Sequence, residues 1–137
     1  MDNTADARQQ SIRARADLLA ASQDRESRQA QAMIDAFVVQ AKAQQLPIVE
    51  LPARTLSGRR VRTNLRGWFL RNDHSAAVGV DGRYYQLTIP GDWLTPIRGV
   101  HLSPSPPPLV LGRGGKDGEA IDLADALKRA LAGEIVH

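Results

Sequence analysis

Hydrophobic and polar positions repeat at helical spacing over the first third of the chain. Proline and glycine are absent before Pro47, and alanine, arginine and glutamine, which all favour helices, dominate this stretch. The pattern predicts one helix over residues 4–46 that ends before Pro47. Its second half carries an apolar stripe at steps of three and four, which is typical of a helix packed on a core. The stripe consists of Ala30, Met33, Ile34, Phe37, Val38 and Ala41.

The first half of this helix has a weaker apolar stripe. Ile12, Ala16 and Leu19 begin it, but the next positions at the same spacing are polar, which makes the segment too polar for a stable coiled coil. We therefore expect residues 1–27 to form a polar helical arm and residues 28–137 to form a small α+β domain. The arm is either simply solvated or contacts a protein partner or a second copy through Ile12 and Leu19.

Short alternating segments separated by turn residues follow the helix over residues 48–89. Within them, residues 60–66 alternate arginine or asparagine with valine, threonine and leucine, which is typical of a strand with one buried face. Asp81-Gly82 lies between two β-rich runs and predicts a two-residue hairpin turn with both residues at positive φ. These patterns predict an antiparallel β-meander of about four or five strands.

The last part of the chain predicts a proline-rich connector and a final helix. The connector covers residues 103–108, and the helix covers residues 119–132, with Asp117 placed to cap its start and Gly133 to end it. One face of this helix is apolar: Ile121, Ala124, Leu127, Ala130 and Leu131. The expected fold is therefore α+β, with a long N-terminal helix, a small antiparallel β-meander and a C-terminal helix packed on the sheet.

Length and composition restrict the class of protein. The 137 residues suit one domain, or a small domain with an arm. No apolar run approaches the ~18 residues of a membrane span, and no basic start followed by an apolar run suggests a secretory signal. We therefore expect a cytoplasmic protein without membrane contact. The absence of cysteine excludes disulfides, thiol catalysis and cysteine metal sites.

Positive charge is concentrated in one short segment. The net charge is only +3, but residues 51–72 contain six arginines and no acid. Alternate side chains of a strand lie about 6.6–6.8 Å apart, close to the spacing of phosphates along a nucleic-acid strand. Arginine binds phosphate and aromatic side chains stack on bases, so residues 54–71 are a candidate nucleic-acid surface. The candidate contacts are Arg54, Arg59, Arg60, Arg62, Arg66, Trp68, Arg71 and Arg83.

The alternative interpretation of these arginines is structural. They would form a solvated outer face that protects a strand edge, or they would pair with Asp122, Asp125 or the acids of the first helix. Five of the six phenylalanine, tryptophan and tyrosine residues lie between Trp68 and Trp93, and because small β-domains use such residues to fill the core, burial is the default expectation for them. Tyr84 and Tyr85 are adjacent and so point to opposite faces of a strand, and we expect one of them, with Tyr85 as the candidate, to reach solvent or a partner.

Signals for catalysis are weak. His74, His101 and His137 are not spaced as metal ligands on one element, and the side chains of Asp73-His74-Ser75 would point apart. The glycine-rich loop 112–116 is followed by an acid where a phosphate-binding loop has serine or threonine. We expect no catalytic residue, cofactor or metal.

Three classes of function remain, and an enzyme is the least favoured of them. The leading hypothesis is a non-catalytic small interaction or regulatory module that binds a protein partner or itself through the N-terminal helix or a sheet edge. The alternative is nucleic-acid binding through the arginine-rich region 54–71.

Overall fold

A computed structural model describes residues 3–90, 99–112 and 119–136 of the chain. Within these ranges a long helix is followed by eight short strands and a second helix, which is the α+β class that the sequence predicts. In chain order they are α1 (Asn3–Ala43), β1 (Val49–Glu50), β2 (Ala53–Arg54), β3 (Arg60–Val61), β4 (Arg66–Phe69), β5 (Ala76–Gly79), β6 (Tyr84–Gln86), β7 (Val110–Leu111), β8 (Ile121–Asp122) and α2 (Leu123–Leu131). Asp117, His137 and most of the glycine-rich loop lie outside the described residues.

The long helix α1 buries the face that its apolar spacing predicts. Ala30, Ile34, Phe37 and Ala41 are buried, with Met33 and Val38 partly buried at their borders. The helix ends near Ala43, and Gln45 adopts φ 57°, which turns the chain towards the sheet before Pro47. The expected helix is therefore confirmed, with its end about three residues earlier than the sequence suggests.

The main sheet is antiparallel and has the order β1-β4-β5-β6. The segment 49–54 contacts both edges of this sheet. Its first part, β1, pairs with β4. Its last residue, Arg54, exchanges backbone hydrogen bonds with the chain after β6, donating to Leu87 (2.7 Å) and accepting from Ile89 (2.8 Å). The strands thus form a closed ring of hydrogen bonds. Nearly every residue of β4, β5 and β6 is buried, so both faces of the sheet are covered.

The β5–β6 hairpin forms at Asp81-Gly82, but its turn differs from the expected one. Only Gly82 has positive φ, at 80°. The Gly82 N–H donates to the Gly79 carbonyl and the Gly79 N–H donates to the Arg83 carbonyl, each at 2.9 Å, which is typical of a three-residue loop ending in a glycine bulge. Asp81 keeps negative φ, and its carboxylate accepts hydrogen bonds from the Arg83 N–H (3.0 Å) and the Tyr85 hydroxyl (2.6 Å).

Helix α2 begins later than the sequence predicts. Residues 121–122 pair with β7 as strand β8, so the helix starts at Leu123, and Asp122 is its N-cap residue. Of the expected apolar face, Leu127 and Ala130 are buried, whereas Ala124 is exposed. The buried residues are Leu123, Ala126, Leu127 and Ala130. The expected end at Gly133 is confirmed: its φ is 74°, and the next N–H donates back to Arg129.

One hydrophobic core joins α1, α2 and the sheet. Phe37 of α1 meets Trp68 of β4 edge to face, with ring centroids 5.6 Å apart. The side-chain amide of Gln44, just after α1, donates to the Leu131 carbonyl of α2 at 2.6 Å. These contacts fix the two helices and the sheet relative to one another.

The proline-rich connector packs between α1 and the sheet. Its Ser105 N–H donates to the Tyr84 carbonyl of β6 at 2.9 Å, and Pro107 is buried where it shares a cleft with residues 24–31 of α1. Ser105 thus occupies a backbone group of β6, and Arg54 occupies those of the residues just after it. The connector therefore covers part of the sheet edge, which the sequence alone makes a candidate binding site for a partner.

Candidate binding surfaces

Five of the candidate arginines are exposed around the β2–β3 hairpin. Arg54 of β2 lies directly opposite Arg60 of β3 in the antiparallel register. Like charges in this position destabilise a strand pair, so packing alone does not account for them. We call the set the arginine surface: Arg54, Arg59, Arg60, Arg62 and Arg66.

A network around Thr55 fixes the tip of this hairpin. Buried Thr55 donates its N–H to the Arg59 carbonyl (2.9 Å), and its hydroxyl accepts from the Arg59 N–H (3.1 Å). Gly58 has φ 90° and donates its N–H to the Thr55 carbonyl. Leu56 at the tip is 74% exposed. Sequence reasoning missed Leu56, although its place beside Ser57-Gly58 puts it in a turn.

An open groove of about 580 Å³ runs along the arginine surface. Arg60, Arg62 and Arg66 line it, together with one acid, Glu50, the cross-strand partner of Arg66. The Val100 N–H donates to the Arg62 carbonyl at 2.8 Å, which helps to keep this segment extended.

The alternative in which the arginines pair internally is not seen for most of them. Within the described ranges, Arg54, Arg60, Arg62 and Arg66 make no ion pair, and neither Asp122 nor Asp125 reaches them. Asp122 and Asp125 instead line a separate cavity with Arg71. Much of the arginine surface therefore presents uncompensated charge to solvent.

Arg71 and Arg83 lie away from the arginine surface. Arg71 is half-buried: its Nε lies 3.7 Å from an Asp73 carboxylate oxygen, and its Nη2 donates to the Glu119 carbonyl at 3.0 Å. Arg83 follows the β5–β6 turn and shares a cavity with Asp35 and Asp81. Acidic residues lie beside both arginines. The arginine surface is therefore shorter than the segment 54–71, because Arg71 does not belong to it, and Arg83 does not extend it.

Trp68 does not belong to an exposed site. Its side chain is 1% exposed, contacts Phe37 and donates from Nε1 to the Leu46 carbonyl at 3.2 Å. Trp68 has the same strand parity as Arg66, as the alternation predicts, but α1 covers the sheet at this point. Base stacking by Trp68 is therefore wrong.

Both tyrosines are buried as well, at 4% exposure each, so the expectation that one reaches solvent is wrong. The reason is local: the connector lies beside Tyr84, while the Tyr85 ring lies over Gly79 with its hydroxyl on Asp81. Burial, followed by the hydrogen bond and the charge of Asp81, raises the pKa of Tyr85 to about 12. Tyr85 thus fixes the hairpin and is not a partner contact.

The first part of α1 is an exposed arm, which we define as residues 4–25 because every residue in it is exposed. Ile12 and Leu19 are each 61% exposed. Ile12, Ala16 and Leu19 stand 18 residues before Ala30, Ile34 and Phe37 respectively. Eighteen residues are about five helical turns, so the arm stripe (Ile12, Ala16 and Leu19) points the same way as the docked face, about 27 Å further along.

The Asp73-His74-Ser75 loop is held by local contacts. Asp73 accepts hydrogen bonds from the Ser75 N–H and hydroxyl; burial alone would raise the pKa of Asp73, but these bonds and nearby Arg71 lower it. His74 stacks on Phe69 with centroids 3.9 Å apart, and its Nε2 lies 2.6 Å from the Val136 carbonyl. The three side chains thus form no hydrogen-bonded relay through His74.

Among the residues that the structure describes, no cluster of histidine and acidic side chains could hold a metal ion, and neither helix is long and apolar enough to cross a bilayer. No family model, curated protein or solved structure matches this chain.

Proposed function

We propose that this protein is a non-catalytic interaction module that holds a protein partner through the arm stripe. The observation that supports the proposal is the phase of the helix. Ile12, Ala16 and Leu19 lie on the same side of α1 as the face that it buries in the domain, yet nothing in the described chain covers them. An apolar stripe on a helix is stabilised when a second surface packs on it.

The domain fixes the direction of the arm stripe. The Gln31 side chain donates to the Gly82 carbonyl at 2.8 Å, and Phe37 packs on Trp68, so α1 has little freedom to rotate about its axis below the arm. A partner on the stripe therefore lies on the same side of α1 as the sheet. The partner is either a second copy of this chain or another protein with an apolar surface.

Serine substitutions test the stripe against a matched control. Ile12→Ser and Leu19→Ser remove its large apolar side chains, whereas Leu18→Ser changes a leucine that is at least as exposed but lies about 120° around the helix. If a second copy is the partner, light scattering gives a mass above that of one chain, and the first two variants lower it to one chain. An unchanged mass in those variants contradicts self-association through the stripe.

Photo-crosslinking tests a different protein as the partner. A photoreactive residue at Ala16 faces along the stripe, whereas the same residue at the equally exposed Ala14 lies about 160° away. We expect crosslinks from position 16 and few from position 14. Equal crosslinking yields from the two positions would show that the arm contacts proteins on all sides and not specifically through the arm stripe.

The arginine surface supports a second candidate function, nucleic-acid binding. The observation that favours it is the placement of Arg54 opposite Arg60 beside a groove with a single acid. The double substitution Arg60→Ala with Arg62→Ala should weaken binding to nucleic acid. It should also reduce the slope of affinity against salt concentration by the equivalent of about two phosphate contacts, while Arg83→Ala should have little effect. Unfolding of the double variant would show that these arginines are structural.

A further inference from the structure

We infer that the β2–β3 hairpin is a wedge that places Leu56 between neighbouring base pairs of a nucleic-acid duplex held on the arginine surface. The inference rests on the second candidate function above. It starts from the tip itself, because Leu56 is 74% exposed and stands between arginines on both strands of the hairpin. Exposure of an apolar side chain to water is not stabilising. A leucine with arginines on both sides in the hairpin suits a ligand that has a charged outer rim and an apolar interior.

The aromatic residues favour a duplex over a single strand. Binding of single strands relies on exposed aromatic rings that stack on bases. Phe37, Trp68, Phe69, Tyr84 and Tyr85 are all buried, so the described surface offers no such ring from phenylalanine, tryptophan or tyrosine. A duplex needs only cations at its phosphates and, where it is bent, an apolar wedge such as leucine between base steps.

The height of the hairpin tip suits the depth of a minor groove. Arg54 and Arg60 are paired across the ladder, and Leu56 follows Arg54 by two residues, so the tip extends at most about 7 Å beyond the arginine pair. A minor groove is about 7.5 Å deep but only about 6 Å wide, which is too narrow for both strands of a hairpin, whose backbones lie about 4.8 Å apart. Only the turn that carries Leu56 therefore enters, at a bent step where the wedge opens the groove, while Arg54 and Arg60 stay level with the phosphates at its rim.

The tip is also held firmly enough to act as a wedge. The Thr55 hydroxyl bonds both the Arg59 N–H and the Ser57 hydroxyl, and the Gly58 N–H closes the turn on the Thr55 carbonyl. Four hydrogen bonds within five residues fix the backbone on either side of Leu56. Partial separation of two stacked base pairs takes a few kcal/mol, so an ordered tip has an advantage over one that must first lose conformational freedom.

Duplex bending separates the wedge from simple electrostatic binding. A short duplex with a fluorophore at each end reports its bend by energy transfer, and anisotropy on the same sample reports its affinity. We expect the intact protein to bend the duplex by about 20–90° and to bind more tightly, by about threefold or more, when the duplex carries a flexible TA step or a mismatch. Leu56→Ser should abolish the bend and this preference, yet leave the salt dependence and the melting temperature unchanged, whereas Leu56→Ile should retain both.

The outcomes distinguish the wedge from the surface that supports it. Binding without a bend, or an equal bend with Leu56→Ser, overturns the wedge and leaves nucleic-acid binding by the arginine surface intact. Absence of duplex binding at low salt overturns both. A bend that depends on Leu56, together with binding that depends on Arg60 and Arg62, supports both.

Discussion

At the scale of single residues, the β5–β6 hairpin depends on the contacts between Tyr85, Asp81 and Gly79. A Cβ atom on Gly79 would lie 3.0 Å from the Tyr85 ring and 2.6 Å from an Asp81 carboxylate oxygen, so only glycine leaves room for both. The Tyr85 hydroxyl donates to the other Asp81 oxygen. The ring is thus buried over a glycine while its polar end is satisfied.

This arrangement predicts a stability loss at alkaline pH. The folded pKa of Tyr85 is about 12, whereas an unfolded tyrosine ionises near 10. The stabilisation from the neutral phenol is therefore complete below about pH 10 and is lost as pH rises towards about 12. Denaturant unfolding of wild type and Tyr85→Phe should show a stability difference that shrinks above about pH 10. A difference that stays constant across that range would contradict the raised pKa.

The default expectation that aromatic residues fill the core holds for Trp68 and Tyr85, whereas the binding interpretations misplaced both of them at the surface for one physical reason. Alternation along a strand tells which side chains share a face, but it does not tell whether that face is solvated. The face of Trp68 is covered by α1, and the Tyr85 ring lies over Gly79 with its hydroxyl on Asp81. The arginine surface lies outside because burying an unpaired charge is costly, and that rule needs no knowledge of the fold.

At the scale of elements, α1 consists of a docked half and an exposed half. Its local pattern predicted both, since the apolar stripe fades where the contacts end. The boundaries of β8 and α2 were harder to predict, because residues 121–122 have a helical sequence pattern but pair with β7. The closure of the sheet could not be predicted either, since it depends on the contact between Arg54 and Leu87, which no local pattern encodes.

The exposed half should contribute little to stability. Contacts between α1 and the rest of the chain begin near Glu26, whose carboxylate faces the Leu109 N–H. Removal of residues 1–22 should therefore change the unfolding free energy by less than about 0.5 kcal/mol, as for surface changes generally. Phe37→Ala, in the docked half, should cost about 3–5 kcal/mol. A truncated chain that melts as early as that variant would show that the arm packs on the domain.

At the scale of the whole molecule, two candidate surfaces are held on one core by different elements. The arm stripe is carried by α1, and the arginine surface by the β2–β3 hairpin and the chain up to the start of β4, and both are tied to the same sheet. Their mutual orientation therefore follows from the packing of α1 on β4. If either surface binds, the partner's position relative to the domain is set by the fold.

Insertions into α1 test this fixed geometry. Two alanines added between Ala21 and Ser22 turn the arm stripe by about 200° relative to the domain, whereas seven alanines restore its direction to within about 20°. Partner binding should fail with two and persist with seven. Equal binding by both variants would show that the arm acts independently of the domain, and circular dichroism checks that each insertion stays helical.

The contacts that hold α1 also determine when it can dock during synthesis. Glu26 meets Leu109 across 83 residues, and Gln44 meets Leu131 across 87. The helix is rich in strong helix formers and can form as soon as it is made, and Trp68 of β4 can cover Phe37 well before the last residues are added. The segment around Leu109 and helix α2, however, come from the far end of the chain. The part of the apolar face of α1 that these last segments cover therefore stays exposed until translation is nearly complete, and during that interval a chaperone or the ribosome surface can cover it.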